Sequence, residues 1–127
     1  MKINTADRLA IHELLALYGH LIDDREFSRL NEVFTLDAEF DLSLYGGESY
    51  SGLEAIIKMM QESDEHPLAH HTSNIVISTD AEIISAMSKG LGVGYKGRVG
   101  SVIYRDGLVN TANGWRIQRR SVELRKP

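Results

Sequence analysis

The sequence predicts an α+β fold in which helices pack on one face of a curved antiparallel sheet. Apolar residues recur at helical spacing in the first half of the chain, whereas β-branched runs separated by short turns occupy the part after Pro67. Short turns join neighbouring strands as antiparallel pairs, because a parallel crossover needs a dozen or more residues. With 127 residues the chain has the size of one domain with a real core, so we expect a single domain over residues 1–127.

Three segments in the first half have the apolar periodicity of helices. Residues 5–23 carry a broad apolar stripe, and Asn4 or Thr5 can cap the start of this helix. Apolar residues then recur every three or four positions over residues 27–34, which predicts a shorter second helix. Residues 53–60 predict a third.

Alternating and β-branched runs predict five strands. The first precedes the third helix, and the other four follow Pro67 and are separated by turn signals such as Asn113-Gly114. The predicted strands are Ala38–Leu42, Asn74–Thr79, Glu82–Ser88, Arg98–Asn110 and Trp115–Leu124.

Composition excludes several kinds of chemistry. The chain has no cysteine, so disulfides, thiolate nucleophiles and cysteine-ligated metals are absent, and chemistry must rest on His, carboxylates, Tyr, Ser or Arg. A net charge of −4 argues against a nucleic-acid partner. We find no signal-peptide pattern and no run of roughly 18 apolar residues, and therefore expect a cytoplasmic protein without a membrane partner.

The segment Gly92–Gly97 matches the G-x-G-x-x-G pattern of dinucleotide-binding proteins. That pattern needs a following helix, whose N-terminus receives the pyrophosphate, and here a strand is predicted to follow. We interpret the segment as a glycine-rich strand end and turn.

Three histidines lie beside two carboxylates in residues 64–71, a composition that could suggest a metal site. Pro67 lies between His66 and His70 and removes the helical register that would align their rings. We therefore expect loop histidines and no metal.

Tyr18, Asp23 and the pair His70-His71 are the candidate catalytic residues. Each has an ordinary structural explanation, as a core aromatic, a helix cap and a histidine at a strand start. Together they are the residue types needed for proton abstraction without a cofactor. A carboxylate can orient a histidine base, and a phenol can donate a hydrogen bond to an enolate oxygen.

Simple geometry limits this hypothesis in two ways. Tyr18 and Asp23 are separated by about 140° around a regular helix, so they can share a site only if the helix ends or bends near Asp23. Strict strand alternation places His71 on the same face as Ile75 and Ile77, which favours His71 as the inward histidine unless a bulge shifts the register.

The six arginines after residue 97 are interpreted mainly as a solvated outer face of the sheet. Arg120 stays open, because an inward arginine would be a costly buried charge unless it met a substrate or a carboxylate.

Three ordered motifs carry a family resemblance. They are I-x-E-L-x-x-x-Y-x-x-x-x-D over residues 11–23, H-x-x-x-N at His70 and Asn74, and N-G-W-R-I-x-x-R over residues 113–120. The chain resembles, over nearly its whole length, the SnoaL-like branch of the nuclear transport factor two superfamily. This branch includes scytalone dehydratase, bile-acid 7α-dehydratase and hexachlorocyclohexane dehydrochlorinase.

The resemblance implies a cone-shaped, cystatin-like α+β barrel with three helices wrapped on a curved antiparallel sheet and an apolar pocket inside. In the lyases of this group an Asp–His dyad removes a proton without metal or organic cofactor. Asp23 matches the dyad aspartate, Tyr18 matches the dehydratase tyrosine, and the motif selects His70 over His71 as the dyad histidine. The choice of His70 requires a bulge in the strand, because simple alternation favours His71 as the inward histidine.

His71, Asn74, Ser88 and Arg120 are the expected pocket residues. Ser88 lies where scytalone dehydratase carries a second histidine. The resemblance thus implies a dehydratase-type lyase acting on a mid-sized apolar or ring-containing carbonyl compound, including aromatic or polycyclic substrates. The alternatives are a ketosteroid-isomerase-like isomerase, a polyketide cyclase or a non-catalytic small-molecule-binding module. Relatives of this type assemble, so we expect a homo-oligomer, with a trimer favoured over a dimer.

Overall fold

The first helix buries one face against the core and exposes the other in a computed structural model that describes residues 2–127. Helix α1 spans Thr5–Asp23, as predicted. Its start is closed by a capping box, in which the Asn4 side chain accepts from the Asp7 N–H and the Asp7 carboxylate accepts from the Asn4 N–H. Because α1 ends at Asp23, that side chain lies at the end of the helix, as a site shared with Tyr18 would require.

The second predicted helix is a 3-10 helix, Phe27–Glu32, and the third is α2, Leu53–Glu62. Phe27 and Leu30 are both buried, and their three-residue spacing suits a 3-10 helix, in which residues i and i+3 lie on one side. No helix within residues 2–127 has both the length and the apolar character needed to cross a membrane.

Six strands form one sheet over the described residues, in the order β2-β1-β6-β5-β4-β3. Strand β2 was not predicted, because three residues are too short to show a periodic pattern. The strands are β1 (Phe34–Asp41), β2 (Ser49–Ser51), β3 (Ala69–Ser78), β4 (Ile84–Val93), β5 (Val99–Thr111) and β6 (Gly114–Leu124).

The sheet departs from the expected antiparallel arrangement at one place. Strands β3 to β6 form the predicted antiparallel meander, but β1 pairs in parallel with β6. These two strands are far apart in the chain, so the intervening elements supply the long crossover that parallel pairing needs. The sheet is therefore mixed, and the α+β fold itself is confirmed.

The glycine-rich segment closes β4 as expected. Strand β4 ends at Val93, and a 3-10 turn over Tyr95–Gly97 leads into β5. No helix follows this turn directly, because β5 begins at Val99.

The core lies between α1, α2 and the inner face of the curved sheet. Tyr18 is at its centre, with its ring edge-on to Phe34 and stacked with Phe40. Both phenylalanines lie on β1, so α1 packs across the concave side of the sheet.

Candidate active site

Asp23 and His70 meet where the end of α1 reaches β3. The Nδ1 atom of His70 lies 2.6 Å from Oδ1 of Asp23. Both side chains are mostly buried, with 16% of His70 and 18% of Asp23 exposed. A carboxylate at this distance accepts a hydrogen bond from Nδ1–H, so that in the neutral ring Nε2 is the nitrogen with a free lone pair.

The same carboxylate also holds the backbone of His70. The His70 amide N–H lies 3.0 Å from each oxygen of Asp23. Strand β3 is the edge strand of the sheet, so its outward amides have no further strand to pair with. Asp23 therefore fixes both the ring and the main chain of His70.

A bulge in β3 explains why His70 faces inward although simple alternation favours His71. The pairing of β3 with β4 shifts between Ser73 and Val76, and Asn74 has a left-handed backbone with φ of 56°. Before the bulge, the even-numbered His70 and Thr72 are the partly buried side chains, whereas after it the odd-numbered Ile75 and Ile77 pack against the core. One extra residue exchanges the two faces of a strand.

Two expected pocket residues lie away from this site. His71 is exposed, because it occupies the opposite face of β3 from His70. Asn74 is also exposed, and its Oδ1 accepts a hydrogen bond from the Ser73 hydroxyl at 2.8 Å. Asn74 forms the bulge that turns His70 inward, and its side chain does not reach the interior.

Tyr18 faces the dyad from α1. Its ring is buried and stands edge-on to the His70 ring, with 6.2 Å between the centroids. Burial raises the pKa of Tyr18 above its ordinary value, and the nearby Arg120 opposes this only partly. The phenol therefore keeps its proton and can act as a hydrogen-bond donor.

Arg120 is turned inward and paired with a carboxylate. Its Nε and Nη2 atoms lie 2.7 and 2.9 Å from the two oxygens of Asp106, and both side chains are fully buried. Burial lowers the pKa of Arg120, but the charge and hydrogen bonds of Asp106 outweigh this and hold it above its ordinary value. The sequence leaves a substrate or a carboxylate open as the partner of Arg120, and the structure provides the carboxylate of Asp106.

Two tyrosines enclose the guanidinium of Arg120. Its central carbon lies 4.4 Å from the ring centroid of Tyr18 and 4.0 Å from that of Tyr104, which are cation–π distances. The Tyr104 ring lies over Gly90, where a Cβ would be only 2.4 Å from Tyr104 Cε2. Residue 90 must therefore be glycine for this stack to form.

Two buried polar atoms around this stack have no hydrogen-bond partner within residues 2–127. They are the Oγ of Ser88 and the Nη1 of Arg120. Buried polar groups are normally satisfied, so these two atoms are exceptions that keep unused hydrogen-bonding capacity beside the stack. Both residues were expected in the pocket.

Asp106 and Tyr104 are functional residues that the sequence does not reveal. Counting back from the turn at Ala112-Asn113 places Arg105 opposite Arg120. The register of β5 and β6 shifts between Gly107 and Leu108, and this shift brings Asp106 opposite Arg120 instead.

His66 has a structural role in the loop before β3. Its Nε2 lies 2.9 Å from the carbonyl oxygen of Met60, and its ring packs on Phe27 at 5.7 Å between centroids. Among residues 2–127, no group of three or more histidine or carboxylate residues is placed to hold a metal ion.

Two surface depressions lie beside α2, with volumes of about 510 and 580 Å³. The first is lined by Leu42, Tyr50 and Met59 among others, and the second by Ile57 and its neighbours. Neither is lined by a residue of the Asp23–His70 pair. The depressions therefore lie outside the candidate active site.

Comparisons with known proteins agree with this architecture. The SnoaL-like domain family matches residues 4–121 of the chain. An uncharacterized protein of Mycobacterium tuberculosis is 34% identical over an alignment of 124 positions, and the match covers 91% of this chain and 83% of that protein.

Solved structures share the fold. One is a nuclear-transport-factor-two-like protein with a cystatin-like fold from Novosphingobium aromaticivorans, with 25% identity, a TM-score of 0.78 and coverage of 94% of this chain and 82% of that one. Another is LinA, with 19% identity, a TM-score of 0.78 and coverage of 95% of this chain and 87% of that one.

Proposed function

Because the chain belongs to the SnoaL-like domain family, we propose that it is a cofactor-independent lyase of the dehydratase type. Its substrate is a mid-sized apolar or ring-containing carbonyl compound with a hydroxyl group β to the carbonyl. The observation that carries the proposal is the 2.6 Å contact between Asp23 and the Nδ1 of His70. That contact orients a histidine so that its other nitrogen can accept a proton.

The proposed reaction begins with proton transfer to His70. Nε2 removes the proton on the carbon α to the carbonyl, and the electron pair of that C–H bond forms an enolate. Asp23 stabilises the resulting imidazolium, and the Tyr18 hydroxyl donates a hydrogen bond to the enolate oxygen. The enolate then reforms the carbonyl and a C=C bond while the β-hydroxyl leaves. The His70 imidazolium protonates the departing hydroxyl, so the products are an α,β-unsaturated carbonyl compound and water.

The charges of the inner face favour a neutral substrate. The positive charge of Arg120 is balanced by Asp106 through two hydrogen bonds, and Asp23 adds a negative charge. A carboxylate entering this region would meet a net negative charge in a poorly solvated environment. A ketone oxygen, in contrast, can accept from Nη1 of Arg120 or from the Ser88 hydroxyl without adding charge.

The proposal is tested with a panel of cyclic β-hydroxy ketones in deuterated water, followed by NMR. The expected result is loss of water, with deuterium incorporated at the α carbon if the enolate reverts. The variants His70→Ala and Asp23→Asn should each lower turnover by about 10²- to 10⁴-fold, because each removes general-base catalysis. Both should unfold at urea concentrations close to that of the wild type.

His71→Ala is the matched control, because it removes an imidazole next to His70 from the exposed side of β3. This variant should keep full activity. The lyase proposal is wrong if His70→Ala retains wild-type turnover of a substrate that the enzyme dehydrates. A product with the mass of the substrate and a moved double bond would instead identify an isomerase.

A further inference from the structure

Gly19 lies in α1 where the helix passes β3 most closely. A Cβ built at this position would be 2.9 Å from the carbonyl oxygen of His70 and 3.4 Å from its Cβ. The nearer atom belongs to the backbone of a paired strand and cannot swing away as the tip of a side chain could. A side chain at residue 19 would therefore force α1 and β3 apart.

The backbone conformation of Gly19 does not itself require glycine. The residue is inside α1, and its φ is not positive. Glycine weakens the interior of a helix relative to alanine, so its presence here needs a reason from packing. The close approach to His70 supplies that reason.

Gly19 and Asp23 are four residues apart, so they lie on the same face of α1, one turn from each other. His70 is the residue that both of them contact. The helix thus approaches one residue of β3 at Gly19 and binds the same residue through the carboxylate of Asp23.

We propose that Gly19 is a positioning residue for the Asp23–His70 pair, which is catalytic only if the proposed function is correct. The missing side chain lets α1 come near enough to β3 for one carboxylate to accept from both the ring and the amide of His70. These contacts are 2.6 Å for the ring and 3.0 Å for the amide to each oxygen, so an outward shift of α1 lengthens all of them. Hydrogen bonds weaken as their length rises beyond about 3.2 Å.

The test is Gly19→Ala, read out at His70 without any substrate. Hydrogen exchange of the His70 amide should accelerate by about tenfold or more relative to core amides of β5, because a charge-assisted hydrogen bond is lost. The ring ¹⁵N shifts of His70 should change from a single Nδ1–H tautomer to a mixture, because the carboxylate no longer selects one. In wild type we expect one tautomer and a protected amide.

The control is Ala16→Gly, on the exposed side of α1. The new glycine lowers the stability of the helix, but the distance between α1 and His70 stays unchanged. This variant should lower the urea midpoint while keeping the His70 tautomer and amide protection of wild type. If Gly19 contributed only to stability, the His70 tautomer and amide exchange should instead change in both variants, in proportion to the loss of stability.

A second variant separates the loss of the carboxylate contact from the steric overlap itself. Gly19→Ala combined with Asp23→Glu keeps the overlap at residue 19 but adds one methylene to the carboxylate, which can span the added separation and restore the His70 tautomer. The positioning role is overturned if Gly19→Ala keeps wild-type His70 signals, or if the glutamate fails to restore them. A protein with the expected His70 signals but no lyase activity would refute the proposed function alone.

Discussion

Replacing Asp106 with asparagine tests how strongly the buried ion pair contributes to the fold. Asparagine has nearly the same shape as aspartate, so Asp106→Asn creates no cavity. It removes the charge that balances Arg120 and replaces one of the two acceptor oxygens by an N–H donor. Both side chains are fully buried and joined by two hydrogen bonds of 2.7 and 2.9 Å. Breaking such a pair by removing one partner costs about 3–5 kcal/mol, because the other charge stays buried and uncompensated.

A loss of this size should be visible in two assays. Urea unfolding followed by circular dichroism should show a lower midpoint with an unchanged slope. Thermal unfolding should shift by about 10–20 °C, from the entropy of unfolding expected for a domain of this length. A double variant, Asp106→Leu with Arg120→Met, should recover most of the stability, because it removes both charges and keeps the volume.

An ion pair on the other face of the same two strands is the matched control. Arg105 donates to Glu123 at 2.7 Å, with 48% and 33% of the side chains exposed. Glu123→Gln should cost less than about 1 kcal/mol, because water and salt screen an exposed pair. The reasoning about Arg120 is refuted if Asp106→Asn costs no more than Glu123→Gln.

Two further predictions concern packing and pH. Gly90→Ala should lower stability by about 1–3 kcal/mol and change the near-ultraviolet circular dichroism, because the new methyl group overlaps the ring of Tyr104. Gly100→Ala has open space around it and serves as the control, so equal effects of the two variants would contradict this explanation. Hydrogen bonding from Ser43 lowers the pKa of Asp41 from 3.8 to about 2. Its stabilising effect is therefore complete above about pH 4 and is lost as the pH falls towards 2, because the unfolded chain binds the proton first. Asp41→Asn should lower the urea midpoint at pH 7 and should make that midpoint depend less on pH between pH 4 and pH 2. If the midpoint of the variant depended on pH as steeply as that of wild type, Asp41 would not have this stabilising role.

The elements with strong local periodicity could be predicted from the sequence. Helix α1 carries its apolar stripe and its cap within one continuous segment, so its bounds follow from local pattern alone. Strand β2 could not be found, because it is short and exists only through its pairing with β1. The parallel contact of β1 with β6 likewise depends on residues distant in the chain, which no local pattern reports.

The candidate site was predicted in its residue types and only partly in its arrangement. Tyr18, Asp23 and His70 were named from motifs, and the structure brings the three together. The choice between His70 and His71 could not be made from alternation, because a single left-handed residue in β3 exchanges the two faces.

Sequence alone determined the α+β class, the extent of α1 and the set of residue types from which a cofactor-free proton transfer could be built. These properties depend on neighbours in the chain, through helical and strand periodicity and through composition. Tertiary structure decided which histidine meets Asp23, that Asp106 balances Arg120, and that Gly19 must lack a side chain. Each of these depends on the register of a strand or on the distance between packed elements. A register shift of one residue, or a change of a few tenths of an ångström in that distance, is enough to change which side chains meet.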